Sequence, residues 1–245
     1  MNRQKKSLLL KGIIDPILGQ MGFPELQTIK DRRCIYCCSS LKKENNVIQF
    51  IKIWDVYESL HLSLSTNVYI GSEYHYRDSE GGNSWLYRSE REFGEILEDY
   101  AALLKNQGQE MLEKLTMVPE GEIKTRANNR YIYENHDEIA KKKVIEWGLN
   151  GKTYKEAYQC LLDKVKACKN KNSKEVESAL IEIAIVYGYC IQACFGGEWV
   201  WVEDAGNVVL KNIGKHAKVC PPLTDVDAEW RSIEEGTEEL MYSNF

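Results

Sequence analysis

At 245 residues, with 43% hydrophobic and 28% charged residues, the chain has the make-up of a globular protein and room for two domains that each bury a core. Five prolines and 17 glycines exclude a repetitive or low-complexity chain. A formal charge of -5 argues against direct nucleic-acid binding, which needs a net basic face.

The N-terminal MNRQKKSLLLKGII has the basic-then-apolar order of a secretory signal, but Lys11 and Asp15 interrupt its apolar run. No apolar stretch reaches the ~20 residues of a membrane span. A cytoplasmic chain is therefore expected, with its eight cysteines reduced and no bound metal or cofactor. From residue 5 to 22, Leu9, Ile13 and Ile17, then Leu10, Ile14, Leu18 and Met21, recur at helical spacing, and Pro16 is expected to kink or subdivide the helix. Three strand-like runs follow at 33–40, 47–54 and 61–70. The last alternates Leu62, Leu64, Thr66, Val68 and Ile70 with polar residues, the pattern of a strand with one face on a core. Turn residues from Asp78 to Asn83 lie between aromatic flanks that can pair as a hairpin.

Ser89 and Glu92 have capping-box spacing before a stripe of Phe93, Ile96, Leu97, Tyr100, Leu103 and Leu104. Gly108 is expected to end that helix, and QEMLEKL makes a short last one. The polar stretch that follows lacks apolar periodicity, so the division expected is a sheet domain at 1–118, a linker at 119–133 and a helical domain at 134–245. The helical domain opens with a helix ending at Trp147 and Gly148, then another capped by Thr153 with Glu156. The helix from Ser173 to Phe195, capped by Asn172 with Glu175, is apolar nearly all round and must be covered on all sides. Gly196 and Gly197 stop it, and EWVWVED begins a hairpin turning at Ala205 to Asn207. Thr224 can cap a last helix with Val226, Trp230, Ile233, Leu240 and Met241 inward and its carboxylates outward. The fold class expected is α+β: an antiparallel sheet packed with helices, followed by a mainly helical domain with a small β-hairpin.

No stretch has the specificity of a catalytic signature. Cys34, Cys37 and Cys38 contain a C-x-x-C spacing, but in a strand-like run residues alternate between faces, and no second ligand pair follows at zinc spacing. Cys190 and Cys194 share one helix face, where packing explains them. The histidines at 61, 75, 136 and 216 show no metal-binding or nucleophile spacing. His61 and His75 can meet across adjacent strands, and a small-molecule site or an unrecognised enzyme would need them beside a carboxylate. Trp199 and Trp201 project from one side of a strand, toward the core or toward a partner.

Charge is unevenly spread: ten Lys or Arg stand against six Asp or Glu in residues 136–175, but four against ten in residues 196–245. Glu203, Asp204, Asp225, Asp227, Glu229, Glu234, Glu235, Glu238 and Glu239 are the candidate partner-binding residues, as a solvated acidic face that would steer a basic protein.

The first half, with its LLLKGIIDPILGQMGF helix, strands ending in HLSLSTNVYIG and a helix closing on NQGQEMLEKL, resembles an uncharacterised bacterial domain family of polymorphic-toxin and interbacterial-competition loci. The second half, with its apolar helix closing on FGGEWVWVED, a double-proline loop and a last helix, is similar to immunity-like domains. The resemblance carries no catalytic residues. It implies a cytoplasmic binding or immunity protein. The charge split adds the expectation that it occludes a basic toxin domain, and a small-molecule-binding protein or enzyme is the alternative.

Overall fold

The computed structural model describes residues 2–29, 36–44, 46–78 and 80–235, and of residues 36–39, 234 and 235 the backbone alone. The protein is α+β and divides into two compact units, residues 1–117 and 118–245.

The first unit is built on a six-stranded antiparallel sheet. Its strands are β1 (Gln27–Ile29), β2 (Tyr36–Glu44), β3 (Val47–Val56), β4 (Ser59–Thr66), β5 (Glu73–His75) and β6 (Trp85–Leu86). The helices are α1 (Arg3–Gln20), α2 (Glu90–Leu103) and α3 (Gln109–Leu115). Alternation along β3 and β4 sends Ile51, Ile53, Leu60, Leu62 and Leu64 to one face, where they meet Leu10, Ile14 and Leu18 of α1 and Phe93, Leu97 and Tyr100 of α2. Asn2 caps α1 through its side chain and Ser89 caps α2, its Oγ accepting from Glu92 N at 3.1 Å.

Three expectations for this unit are corrected. Pro16 does not subdivide α1, because Pro16 and Gly12, whose carbonyl loses its partner, both face solvent. Gly108 does not end α2: the chain runs through a π-turn at Leu104–Gly108 into α3, and Gly108 lies against Met21. The strands flanking the Asp78 turn do not pair with each other. Both pair with β4, β5 along Ser63–Ser65 and β6 along Ser59–Leu60.

In the second unit α6 (Ser173–Phe195) is the central helix, packed by α4 (Arg126–Glu146), α5 (Tyr154–Lys166) and α7 (Pro222–Glu235). Capping boxes start α5 at Thr153 and α6 at Asn172. Leu180, Ile183, Ala184, Ile185, Val186, Tyr187 and Ile191 of α6 are all buried, so the apolar circumference read from the sequence is covered. Among the described residues α6 is long and apolar enough to cross a membrane by length and composition, and more than half of its most apolar stretch is buried in this unit. Gly196 ends it at φ 77°, a conformation that glycine takes at little cost.

The hairpin expected after α6 is a three-stranded antiparallel sheet of β7 (Glu198–Val202), β8 (Asn207–Ile213) and β9 (Lys218–Cys220). The stretch 119–133 is not a linker. Ile123, Asn129 and Ile132 are buried, and α4 starts at Arg126 with Thr125 as its cap. The last helix begins at Pro222, where the missing N–H costs nothing, rather than at a Thr224 cap.

Candidate functional site

All three helices of the first unit that touch its core lie on one face of the sheet, and the opposite face carries an open groove of about 410 Å³. Trp54, Val56, His61, Ser63, Glu73, His75 and Asn83 line it. The sheet register explains the assembly. Trp54 pairs with His61 across β3 and β4, and Ser63 pairs with His75 across β4 and β5. Tyr76 N donates to Leu62 O at 3.0 Å and Thr66 N to Ser72 O at 2.9 Å, which makes Ser63 and His75 a non-hydrogen-bonded pair, the kind whose side chains stand closest. Glu73, two residues before His75, faces the same way, and its Oε2 is 3.4 Å from His75 Nε2. His61 Nε2 is 3.4 Å from Ser59 Oγ.

Ser63 is 2% exposed and its hydroxyl has no hydrogen-bond partner. Such an orphan is uncommon in a folded interior and marks a place where a visiting polar atom gains a bond. The groove thus unites the two histidines that the sequence allowed to meet with a carboxylate, and adds Trp54, Ser63 and Asn83, which sequence reasoning did not select. One signal was legible, because His61 and Ser63 are the polar members of the β4 alternation and had to share a face.

Beyond the groove, the same face exposes large apolar residues: Ile29 at 48%, Leu41 at 47% and Leu86 at 75%. Ile29 shares a cross-strand row with Trp54 and His61, Leu41 one with Phe50, Ser65 and Glu73, and Leu86 one with Ser59 and Val56. A second groove, of about 520 Å³ between α4 and α6, is lined by Asn128, Tyr131 and Glu177 among others. There the Asn128 amide already donates to Ile123 O and Glu177 Oε1, at 2.8 and 2.7 Å.

The acidic C-terminal set does not form one solvated face. Glu203 and Asp204 are exposed, with Glu203 Oε1 2.7 Å from Arg126 and Oε2 accepting from Trp201 Nε1 at 2.6 Å. Asp225 is half-buried and accepts from Cys220 Sγ at 3.2 Å; burial, chiefly, raises the pKa of its carboxyl. Asp227 and Glu229 are 1% and 0% exposed. Asp227 is tied to Lys124 at 2.8 Å and to Arg231 Nε at 2.9 Å. The reason is that α7 packs on α5, α6 and β8, so positions counted as its outer face are enclosed. The side chains of Glu234 and Glu235, and all of Glu238 and Glu239, lie outside the described residues.

Trp199 and Trp201 turn toward α4. Trp199 stacks on His136 with ring centroids 4.6 Å apart, and Trp201 has the Arg126 and Arg130 guanidiniums at 5.4 and 5.2 Å from its ring centroid. His216 is exposed in the turn before β9. Cys34 lies outside the described residues, and Cys37 and Cys38 lie in β2. Cys160, Cys168, Cys190, Cys194 and Cys220 are free thiols, and burial pushes the Cys190 thiol up to about 11. Among the described residues no three His, Cys, Asp or Glu side chains are grouped to hold a metal ion.

No protein-family model, no curated protein and no solved structure matches the chain.

Proposed function

We propose that the chain is a cytoplasmic protein-binding module of the immunity type, neutralising a basic toxin domain by occlusion, and that its first unit makes the central contact. The observation that carries this reading is the sheet face that no described helix covers. Exposed Ile29, Leu41 and Leu86 share that face with a half-buried Trp54, apolar and aromatic residues of the kind that anchor partners. Occlusion needs no chemistry from the inhibitor, in keeping with a chain that carries no catalytic signature. Asp204, exposed on the second unit, supplies negative charge to steer a basic partner toward the protein, whereas Glu203 is engaged by Arg126 and Trp201.

The test is capture of the products of neighbouring genes by the tagged chain, repeated with Leu86→Glu and Leu41→Glu. Both positions are exposed, so the fold tolerates the change. Loss of capture in these variants, with capture retained in Asp204→Lys, supports the sheet face. Undiminished capture removes it.

A small-molecule-binding role is the second reading, favoured by the same groove and its orphan hydroxyl. Hydrolysis by Ser63 is less well served. The backbone amides of β4 are used in its ladders with β3 and β5, which leaves none to hold an oxyanion there.

A further inference from the structure

We propose that the groove on the first sheet is a receptor for a single guanidinium group, so that the partner inserts an arginine between Trp54 and Glu73. This deepens the reading of the chain as a binding module for a basic protein and rests on it.

Every polar side chain that lines the groove can accept a hydrogen bond. The Glu73 carboxylate accepts only, the Asn83 side chain offers a carbonyl, and each neutral imidazole carries one acceptor nitrogen. The His75 tautomer that donates Nε2–H to Glu73 leaves Nδ1 as that acceptor. The buried Ser63 hydroxyl, with no partner of its own, accepts at the floor. Trp54 adds an aromatic wall, whose face attracts cations.

Among the described residues no lysine or arginine lines the groove. Lys52, which pairs with Ser63 across the strands, carries its ammonium over the Phe50 ring, 4.8 Å from the centroid. The occupant that satisfies this set is a planar cation with several donors. A guanidinium stacks on an indole while its edge donates to a carboxylate and to further acceptors, whereas an ammonium is a compact point charge that cannot span them. An anion would meet Glu73, and an apolar side chain would leave Ser63 unpaired.

The probes are the N-acetyl amides of arginine, lysine and citrulline, the last a neutral analogue of the same shape. Each is titrated into the full-length protein while the Trp54 indole N–H and the His61 and His75 ring protons are followed by NMR. Arginine amide is expected to shift these signals saturably and to bind at least tenfold more tightly than citrulline amide, with lysine amide weaker than arginine. Glu73→Gln, a near-isosteric change at an exposed position, is expected to weaken arginine binding about tenfold, and Trp54→Leu to weaken it as well.

Equal binding of citrulline, shifts confined to other residues, or unchanged affinity in Glu73→Gln overturns the assignment. If a protein partner is captured through the sheet face but arginine amide does not bind, the guanidinium receptor alone is wrong. If arginine amide binds as described but no partner is captured, the groove assignment stands and the binding-module reading falls.

Discussion

Gly188 in α6 lies directly beneath the indole of Trp199, so close that a Cβ at position 188 would overlap the ring and come within 3.1 Å of Pro222 Cγ. Helix propensity alone favours alanine over glycine by about 1 kcal/mol. Packing reverses the sign, because the indole is also held by its stack on His136 and by its N–H donating to Gln192 Oε1 at 3.2 Å. Gly188→Ala is therefore expected to destabilise the protein by about 1–3 kcal/mol. A denaturation midpoint equal to or above that of the wild type would show that Trp199 moves freely.

Inside the first unit, Lys6, Asp55 and Tyr87 form a buried triad. Lys6 Nζ is 2.5 Å from Asp55 Oδ2, Tyr87 Oη donates to Asp55 Oδ1 at 2.7 Å, and Lys6 Nζ also bonds to Tyr87 Oη. Removing the cation leaves a carboxylate with 0% exposure facing a low dielectric. Lys6→Met is expected to cost about 3–5 kcal/mol, and Lys6→Met with Asp55→Leu to recover much of it. Equilibrium denaturation of the two variants decides the point, and a double variant no better than the single would contradict it.

The same triad predicts sensitivity to alkali. Burial first, then the hydrogen bond to Asp55, raises the Tyr87 pKa above its usual 10.0, and burial does the same for Tyr100. A group whose pKa is raised by folding contributes stability that is intact below the unfolded value and is lost as pH climbs toward the folded one. Stability is therefore expected to be level with respect to these tyrosines up to about pH 9 and to fall above about pH 10. Denaturation midpoints between pH 8 and 11 measure this, and Tyr87→Phe should show a shallower fall because it has lost one of the titrating groups. An identical slope in that variant would exclude Tyr87 as a contributor.

Asp227 and Asp204 separate folding from recognition. Asp227→Ala removes an enclosed carboxylate that pairs with Lys124 and Arg231, at an expected cost of about 1–3 kcal/mol. Asp204→Lys, at an exposed position, should stay within about 0.5 kcal/mol of the wild type. Thermal unfolding of both variants reads the difference, and equal melting temperatures would mean that Asp227 is not enclosed as described.

Limited digestion with a broad-specificity protease is expected to cut first within residues 116–120, where Met117 is 68% and Val118 44% exposed between α3 and the first buried residue of the next unit, Ile123. Mass mapping of the first fragments checks this. A first cut inside 126–133 would argue that the start of α4 is frayed.

What the sequence discloses here is what depends on near neighbours. The capping boxes at Thr153 and Asn172, the β4 alternation and the apolar circumference of α6 are local patterns, and local patterns determine element type. Enclosure of Asp227 depends on Lys124, about a hundred positions away, so a carboxylate-rich helix looked solvated until its ion-pair partner was in place. The pairing of both β5 and β6 with β4, rather than with each other, is likewise a matter of register between distant segments. Gly108 misled for a third reason: glycine serves both chain termination and close packing, and only the presence of Met21 tells which. Of the groove, the shared face of His61 and Ser63 was accessible from alternation. The arrival of His75 and Glu73 beside them required the strand order.

Strand periodicity gives the first unit two interleaved texts on one backbone. Ile51, Ile53, Leu62 and Leu64 spell the core, while Trp54, His61 and Ser63, written between them, spell the groove. Rewriting the second set changes no letter of the first. A chain built this way can be retargeted to a new ligand by changing a handful of alternate residues in two adjacent strands, with its folding instructions left intact.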